Sequence, residues 1–583
     1  MPETFFITTA IDYTNGAPHI GHAYEKVLAD VLARYHRLKG DDVFFLTGVD
    51  QHGQKVQQSA EKQGIPPQQF VDGVTEKFVA LWKKLGVEYD GWAATTDAKH
   101  KDCVRAILQR LWDDKGDDGQ SKWIYKKSEG GYYSVRQEQF LTDKERGADG
   151  EFGPEWQPVE FREEENFYFR LLPHKQWLLD LIDARSTAGK PLVVPDFRVA
   201  ELRNAVEKLE GDLCISRPAA RLQWGIPFPE SFGAGFVTYV WFDALVNYIS
   251  FAQDYDPKST RPPEAFLRWW RSIVHVIGKD ILIPAHGVYW PIMLKSLGFA
   301  DDEIPTLLVH GWWNISGAKM SKSLGNVVDP DVLVDIGRAT VEKELIKQKA
   351  KNLEKGKPVL SDHEISSVST RCGAESVRYY LVGDISTGKD ADFNEERLVQ
   401  RYNTDLANSI GNLLNRSVSM AASYRAGKVH RVSHAGSVAE GLSAKSGPVV
   451  EAYRASMTAF QVAGALNEIS DFSMSANVAI ETAAPWKLAK AEKDGDAEAG
   501  KGVDATLYAL AESLRIIAIL LSPVVPKAAH GIFDQLNWKM DLSGQDKRFR
   551  LADAVWGGLP DGHQLGQPTP LFPRIEVPSS QSE

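Results

Sequence analysis

The chain has 583 residues, of which 43% are hydrophobic, 10% are aromatic and 25% are charged. This length allows several domains, and this composition excludes a disordered or fibrous protein. The net charge of −11 at pH 7 argues against a protein that coats nucleic acid through global attraction, although it leaves room for a local basic surface.

Signals for membranes, disulfides and export are absent from the sequence pattern. No apolar run approaches the roughly 20 residues that span a bilayer, so we expect no membrane partner. The three cysteines, Cys103, Cys214 and Cys372, are scattered, which argues against a disulfide framework and against a zinc knuckle built from cysteine alone. The first ten residues lead into a strand-like segment without the zones of a signal peptide, so we expect a cytoplasmic protein.

The first predicted elements form the start of a βαβ unit. Residues 5–11 predict a buried strand, and after a turn at Asn15 and Gly16 a helix is predicted from about Gly21 to Leu38. Residues 43–46 predict a second strand. In such units the ligands bind beyond the carboxyl ends of the parallel strands. We therefore predict an α/β fold with a Rossmann-type parallel sheet that binds a nucleotide.

The pattern changes character twice further along the chain. It dissolves after residue 115 and resumes at residues 237–248, which indicates an insertion that splits the sheet; long amphipathic helices dominate from about residue 395. We predict a first Rossmann half at residues 1–115, an insertion at 116–230 and a second Rossmann half at 231–300. A region with a lysine-rich loop follows at 301–394, then an all-helical domain at 395–555 and a C-terminal tail at 556–583.

A first chemical motif lies between the first predicted strand and helix. It reads Pro-His-Ile-Gly-His at residues 18–22, where the N-terminus of the helix presents unpaired N–H groups to an anion. His19 and His22 can donate hydrogen bonds to phosphoryl oxygens as charge builds in a transition state. Gly21 has no side chain, so a flat adenine can lie against the backbone. A helix cap and a pair of metal ligands are the alternative explanations for the two histidines.

A second motif, at residues 316–326, carries Lys319, Lys322 and Ser323 between glycines. Its two ammonium groups can close over a leaving pyrophosphate, and a basic surface loop is the alternative. Both motifs occur on one chain, in this order and about 300 residues apart. Their combination indicates a single nucleotide-activating site.

These two motifs resemble the paired signatures of the class I aminoacyl-tRNA synthetase family. Further strings, at residues 11–16, 46–53, 215–217, 239–248, 278–281 and 484–486, are similar to those of its methionyl-tRNA synthetases. The resemblance implies that the carboxylate of L-methionine attacks the α-phosphate of ATP, which carries Mg²⁺, and expels pyrophosphate. The methionyl group then passes from the adenylate to the 3′ end of tRNA(Met), including the initiator tRNA. Such chemistry depends mainly on alignment and charge stabilisation.

The resemblance also assigns site residues. Catalytic roles fall to His19, His22, Lys319 and Lys322, and ATP binding also involves Gly21, Gly278 and Ser323. The amino-acid pocket comprises Ile11, Tyr13, Asp50, Trp241, Leu245, Tyr248, Ile281 and His286, with Asp50 taking the ammonium group. Aromatic walls suit a polarizable thioether, although ordinary core is the favoured explanation for each aromatic residue taken alone. The chain has one residue more before His286 than the usual family spacing.

The helical domain resembles the anticodon-binding bundle of the family. The resemblance assigns anticodon contacts to Asn412, Arg416 and Trp486. Asn412 and Arg416 are four residues apart and share a helix face, and Trp486 can stack on a base. An ordinary polar helix face and a core tryptophan are the alternatives. Because an acidic chain must bind RNA through a local basic surface, we expect tRNA binding to weaken with salt.

The sequence departs from the family pattern at two places. Many relatives hold zinc in the insertion, their connective peptide, through cysteine knuckles, whereas the corresponding positions here are Ser134, Gln137, Phe152 and Glu155. These side chains lack the required thiolates, so we expect no structural metal. The second departure is an extra charged stretch at about residues 338–370. We expect a solvated helix there, and contact of its lysines with the tRNA inner limb is the alternative.

Other functions are alternatives to methionine activation. The absence of a large editing insertion argues against a class I synthetase for leucine or valine, and the lack of metal ligands at the mouth of the site argues against one for cysteine. A non-catalytic RNA-binding paralogue would have no chemical need for His19, His22, Asp50 and Lys322 together. No extra C-terminal dimerisation domain is present, so we expect a monomer, and we expect no DNA partner.

Overall fold

The computed structural model describes residues 2–137, 139–147, 149–315, 317–319, 327–434, 437–538 and 549–575. Its first elements follow the predicted order and are β1 Thr4–Thr9, β2 Asp12–Tyr13, α1 Ile20–Lys39, β3 Asp42–Asp50, α2 Gln54–Gln63, α3 Pro67–Leu85, β4 Gly91–Ala94 and α4 Ala98–Asp113. The α/β fold class predicted from the sequence is confirmed.

The ends of α1 and the burial of β1 follow from their residues. His19 is the N-cap residue of α1, and Gly40 ends it with a φ of 103°, a left-handed conformation that glycine adopts without strain. β1 is rich in aromatic and β-branched residues, and its Phe6 and Ile7 are fully buried. Both are buried because helices cover the two faces of a parallel sheet.

The inserted region folds mainly as a second, antiparallel sheet. Its elements are β5 Ile124–Ser134, β6 Gln139–Leu141, β7 Val159–Phe169, α5 Lys175–Thr187, β8 Val193–Val194, α6 Val199–Glu207, β9 Leu213–Cys214, β10 Ser216–Pro218 and β11 Phe236–Thr238. The strand order in this sheet is β6–β5–β7–β9, and the long β5 and β7 pair along their whole length.

The second half of the α/β domain returns to the parallel sheet. Its elements are α7 Val240–Ser250, α8 Glu264–Trp270, β12 Val274–Gly278, α9 Trp290–Ser296, β13 Thr306–His310, β14 Trp313–Ile315 and β15 Ala318–Lys319. The parallel order is β4–β3–β1–β12–β13–β8, and the short β2 extends the β1 side of β3.

The edge strand β8 lies within residues 116–230, which the sequence assigned to the insertion. Val193 and Val194 nevertheless pair with Leu307 and Leu308 of β13, so the chain leaves and rejoins the parallel sheet inside that range. A strand of two residues is too short to show a hydrophobic period, so the sequence pattern gave no sign of it.

The positions expected to replace zinc ligands are held together by hydrogen bonds. Gln137 Nε2 donates to the carbonyl oxygen of Glu155 over 3.0 Å, and Ser134 Oγ donates to the carbonyl oxygen of Trp156 over 2.5 Å. The Arg146 guanidinium stacks 4.3 Å from the centre of the Phe152 ring. In the part of the chain that the structure describes, no group of three or more His, Cys, Asp or Glu side chains is arranged to hold a metal ion. The zinc-free subdomain stays a prediction.

A long helical hairpin joins the α/β domain to the helical bundle. It consists of α10 Pro330–Glu354 and α11 Asp362–Gly383, and it contains the charged stretch at about residues 338–370. The stretch is helical as expected, with Val341 and Leu345 buried against the protein and Lys351 and Lys355 exposed. Contact of its lysines with tRNA is untested.

The remaining elements begin with the short β16, which pairs with β14, and continue with the helical domain. They are β16 Ala391–Asp392, α12 Glu395–Arg401, α13 Asn412–Arg425, β17 Lys428–Val429, α14 Val438–Thr458, α15 Val462–Ala483, α16 Pro485–Lys493, α17 Ala497–Leu521, α18 Pro526–Gln535 and β18 His563–Gln564. α17 is buried almost all round and forms the centre of this domain. None of the helices within the described ranges is long and apolar enough to cross a membrane.

The segment expected to be a tail, residues 556–583, is packed where the structure describes it. Leu565, Leu571 and Phe572 are buried, and β18 pairs with β17. Tyr402 Oη donates to the carbonyl oxygen of Pro573 over 2.9 Å. Proline and glycine give this segment an irregular backbone, which looked like a tail in the sequence although its apolar side chains complete the helical core.

Candidate active site

The carboxyl ends of the central strands surround a cavity of about 890 Å³. Asp50 ends β3, Gly278 ends β12 and His310 ends β13, and all three line it. Twelve residues that the sequence assigned to ATP or amino-acid binding line this one cavity. They are Ile11, Tyr13, His19, Gly21, His22, Asp50, Trp241, Leu245, Tyr248, Gly278, Ile281 and His286.

His19 and His22 form the first turn of α1 and cap it with their rings. His19 Nδ1 accepts from the Gly21 N–H over 3.1 Å, and His22 Nδ1 accepts from the His19 N–H over 3.1 Å. The proton of each neutral ring is therefore on Nε2, because Nδ1 acts as an acceptor in both. The helix-cap explanation and the phosphate-binding explanation are compatible, since the capping bonds are made by Nδ1 and both rings line the cavity.

Gly21 leaves room for the His19 ring in this turn. A Cβ atom built on Gly21 would lie 3.0 Å from Cε1 and 3.1 Å from Nδ1 of the His19 ring. Contacts this short force the ring to move. The glycine therefore keeps His19 in place in addition to leaving the backbone open.

One helix face supplies most of the aromatic part of the cavity. Trp241, Leu245 and Tyr248 follow one another at spacings of four and three residues on α7, so their side chains lie on the same face. The Tyr248 ring is fully buried and stacks on His275 with ring centres 4.1 Å apart. The expected amino-acid pocket is thus a single face of α7 that closes against β12 and the turn after it.

His286 lies in the cavity and is hydrogen-bonded on both ring nitrogens. Its Nδ1 donates to the carbonyl oxygen of Ile281 over 2.9 Å, so its Nε2 accepts the hydroxyl proton of Tyr248 over 2.7 Å. Burial lowers the pKa of His286 to about 4, and the ring is neutral at pH 7. The backbone here forms an irregular π-type turn over Leu282–Tyr289, which has room for one more residue than an α-helical turn.

Asp50 and Tyr13 are neighbours across the sheet. Tyr13 pairs with Asp50 in register, and a Cβ on Gly53 would lie 2.8 Å from the Tyr13 hydroxyl oxygen. Gly53, with a φ of 112°, lets the chain turn closely over this hydroxyl.

A buried carboxylate ties the aromatic helix to the strand that carries Asp50. Asp243 of α7 accepts hydrogen bonds of 2.7 Å from His52 Nδ1 and of 2.7 Å from His100 Nε2. Burial disfavours the charge, but His52 and His100 outweigh it and lower the pKa of Asp243 to about 2. These hydrogen bonds to the carboxylate fix α7 against the β3–α2 loop and α4.

Four titratable side chains that the sequence did not predict form a buried quartet in the wall of the cavity. Lys26 Nζ donates to Asp12 Oδ1 over 2.8 Å, to Glu25 Oε1 over 2.9 Å and to the carbonyl oxygen of Ala10 over 2.9 Å. Glu25 Oε2 lies 3.0 Å from His310 Nε2. Asp12, Glu25 and His310 line the cavity. Members of the quartet that contact each other are up to 285 residues apart in the sequence, so no short motif predicts it.

The Lys26 ammonium is the central charge of the quartet. Burial disfavours the Glu25 carboxylate, but Lys26 and His310 together lower its pKa below the usual range. His310 Nδ1 lies 2.8 Å from the carbonyl oxygen of Gly311, and its Nε2 lies 3.0 Å from Glu25 Oε2. The Lys26 ammonium contacts both carboxylates of the quartet, as a buried charge requires.

The lysine loop is described only in part. Lys322 and Ser323 lie outside the described residues, and of Lys319 only the backbone is described, in the short β15 that pairs with β14. Asp280, two residues after Gly278, also lines the cavity and was not assigned a role from the sequence. Its position just beyond a parallel strand is a signal that identifies it in retrospect.

The expected anticodon residues lie on the helical domain. Asn412 begins α13 and Arg416 follows it one turn later, where its guanidinium pairs with Glu481 of α15 over 2.7 Å. Trp486 lies at the start of α16 and is 40% exposed, so it is not a core tryptophan.

Comparisons with known proteins agree along the chain. The family described as tRNA synthetases class I (M) matches residues 5–150, 155–343 and 346–418, and the anticodon binding domain of methionyl tRNA ligase matches residues 429–582. A methionine–tRNA ligase from Nostoc sp. is 35% identical and aligns over 98% of both chains. The chain belongs to the methionyl-tRNA synthetase family. A Bacillus subtilis methionine–tRNA ligase is 36% identical over 99% of this chain and 79% of its own.

Solved structures of this family share the fold. Mycobacterium tuberculosis methionyl-tRNA synthetase, in complex with methionyl-adenylate, is 33% identical with a TM-score of 0.81, over 98% of this chain and all of that one. As a member of the methionyl-tRNA synthetase family, the chain is an aminoacyl-tRNA ligase, and the enzyme class predicted from the sequence is confirmed.

Proposed function

We propose that this chain activates L-methionine with ATP, forming methionyl-adenylate and pyrophosphate, and then transfers the methionyl group to the 3′ end of tRNA(Met) for initiation and elongation. The observation that carries the proposal is that one cavity joins the histidine pair of α1 to the aromatic face of α7. A nucleotide site and an apolar amino-acid site in contact are what formation of an aminoacyl-adenylate needs.

The α1 side of the cavity suits the triphosphate. The N-terminus of a twenty-residue helix favours an anion, and Nδ1 of His19 and of His22 accepts a capping bond, so Nε2 carries the proton of each neutral ring. These donors stabilise the pentavalent α-phosphate as the methionine carboxylate attacks it. Lys319 and Lys322 are proposed to stabilise the leaving pyrophosphate, with Gly278 and Ser323 completing the ATP site.

The α7 side suits a thioether side chain. Trp241, Leu245 and Tyr248 give it apolar walls, and His286 is neutral because burial holds its pKa far below 7. Ile11, Tyr13 and Ile281 complete the proposed pocket, and the Asp50 carboxylate takes the ammonium group. A pocket without a charge at its end favours methionine over amino acids with charged side chains.

The metal ion of the proposed reaction is the one bound to ATP. Mg²⁺ is proposed to arrive bound to the phosphates of ATP, as is usual for this ion. The four positions where relatives hold zinc are occupied by serine, glutamine, phenylalanine and glutamate, a donor set that does not fit a structural zinc. We derive no step through zinc.

The helical domain is proposed to hold the anticodon of tRNA(Met), including that of the initiator tRNA. Arg416 is positioned by Glu481, and the exposed Trp486 offers an aromatic face for a base. The monomeric state and the cytoplasmic location remain predictions from the sequence.

The test is amino-acid-dependent ATP–pyrophosphate exchange across the twenty amino acids. Exchange with methionine alone, lost in Lys322→Ala, is the expected result. Exchange with a different amino acid overturns the pocket assignment, and no exchange with any amino acid overturns the enzymatic proposal in favour of a non-catalytic RNA-binding protein.

A further inference from the structure

Asp12 carries an acceptor atom that the protein leaves unused. Its side chain is 3% exposed, and Oδ1 accepts from Lys26. Oδ2 is buried and has no hydrogen-bond partner among the described residues, although Asp12 lines the cavity. A buried carboxylate oxygen without a donor costs free energy of folding, so its position at the wall of a cavity indicates that a ligand supplies the donor.

The other polar atoms of the quartet are already used. The Lys26 ammonium has three protons and three acceptors, both oxygens of Glu25 have partners, and both nitrogens of His310 face acceptors. Within the described residues, Asp12 Oδ2 is the acceptor atom of the quartet that has no hydrogen-bond donor. Because Lys26 has no exposed side-chain surface, the carboxylate is held in one place before any ligand arrives.

The direction of Asp12 identifies which substrate it meets. Alternate residues of a strand face opposite sides of the sheet, and Asp12 pairs with Val49 whereas Tyr13 pairs with Asp50. Asp12 contacts Lys26 of α1, so it lies on the α1 side, and Asp50 faces the opposite side of the sheet. Asp12 is therefore not placed beside Asp50 as a second group for the methionine ammonium, and α1 is the helix whose first turn carries His19 and His22, the histidines proposed to bind ATP.

We propose that Asp12 is a nucleoside-binding residue whose Oδ2 accepts a hydrogen bond from the nucleoside part of ATP, a ribose hydroxyl or the 6-amino group of adenine. The phosphates have no hydrogen-bond donor at neutral pH, which leaves these three groups on ATP. Burial raises the pKa of Asp12 to about 7 despite the opposing effect of Lys26, so a donor from the ligand also relieves the cost of the charge. The inference rests on the proposed function, since it presumes that ATP occupies this cavity.

The experiment measures methionine-dependent exchange with ATP, 2′-deoxy-ATP, 3′-deoxy-ATP and the 6-deamino analogue of ATP. In the unaltered enzyme, one analogue is expected to lose at least about tenfold in kcat/KM, because that enzyme leaves Oδ2 unpaired. In Asp12→Ala the same analogue is expected to be used as well as ATP, while the KM for methionine changes by less than about twofold.

Each outcome decides the proposal. Equal use of ATP and all three analogues by the unaltered enzyme overturns it without any variant. An analogue preference that is the same in the unaltered enzyme and in Asp12→Ala also overturns it, and leaves Asp12 with only a structural partner role to Lys26. Asp12→Asn keeps the shape and removes the charge, and is expected to retain part of the preference for ATP. Absence of methionine-dependent exchange in the unaltered enzyme is a failure of the proposed function instead.

Discussion

Tyr248 Oη donates a 2.7 Å hydrogen bond to His286 Nε2, and this bond joins the aromatic face of α7 to the turn after β12. It exists because His286 Nδ1 is committed to the carbonyl oxygen of Ile281. The bond to the backbone carbonyl places the ring proton of His286 on Nδ1, so Nε2 is the acceptor for the Tyr248 hydroxyl.

Removing that hydroxyl gives the first prediction. Tyr248→Phe leaves His286 Nε2 as a buried acceptor without a donor, at a cost of about 1–2 kcal/mol. We expect the KM for methionine in the exchange reaction to rise about fivefold to thirtyfold. The KM for ATP serves as the internal control, and an equal rise in both constants would contradict the assignment of Tyr248 to the amino-acid pocket.

The same histidine predicts a dependence of stability on pH. Burial lowers the pKa of His286 from 6.5 to about 4, so between these values the unfolded chain binds a proton that the folded chain does not. Its contribution to stability is full above about pH 6.5 and is lost as the pH falls toward 4. The free energy of unfolding in urea is measured at pH 7 and pH 4.5 for the protein and for His286→Asn. We expect the larger loss in the unaltered protein, and an equal loss in both would refute the shift.

Gly21 gives a prediction about packing within the first turn of α1. In Gly21→Ala the new methyl group lies 3.0 Å from the His19 ring and displaces it. His19 is proposed to act on the α-phosphate, so with its ring displaced we expect kcat for exchange to fall about tenfold to a hundredfold. Gly73→Ala in α3 is the matched control because nothing lies within 4 Å of the added carbon. Unchanged exchange in Gly21→Ala would show that the His19 ring has no such role.

The inserted subdomain is predicted to hold together without zinc. Its knuckle positions are joined by the Gln137 to Glu155 hydrogen bond and by the stacking of Arg146 on Phe152. We expect metal analysis of the purified protein to find no stoichiometric zinc, and exchange to survive a zinc-specific chelator with Mg²⁺ in excess. Arg146→Ala is expected to speed proteolytic cleavage within residues 116–170. One zinc ion per chain would overturn this prediction.

The anticodon assignment is tested by separating the two reaction steps. Trp486→Ala is expected to raise the KM for tRNA about tenfold or more, since stacking on a base contributes about 1–3 kcal/mol. Methionine-dependent exchange is expected to stay unchanged, because it does not involve tRNA. Val478→Ala is the control, as Val478 is an exposed apolar residue of the adjacent helix. A change of the same size in both variants would remove the case for Trp486.

The sequence predicts the site best where the chemistry is local. His19, Gly21 and His22 lie within four residues, so their capping geometry and position at a helix N-terminus follow from the pattern itself. The aromatic face of α7 required the family resemblance, because ordinary core is the favoured explanation for Trp241 and Tyr248 taken alone. The resemblance did not identify Asp12 or Lys26, whose partnership arises from the crossing of β2 and α1. The edge strand at Val193 and the packed segment around Phe572 were missed for a related reason, since tertiary pairing and not period or composition orders them.

The Asp243 clamp bears on how this pocket can be altered by design. Because one buried carboxylate holds both His52 and His100, sliding α7 outward to admit a bulkier amino acid breaks two charge-assisted bonds at once. Engineering toward larger analogues therefore has to proceed by trimming side chains such as Leu245 on a helix that keeps its place. The position of α7 stays fixed, and the side chains on the face that lines the pocket are the part that engineering can change.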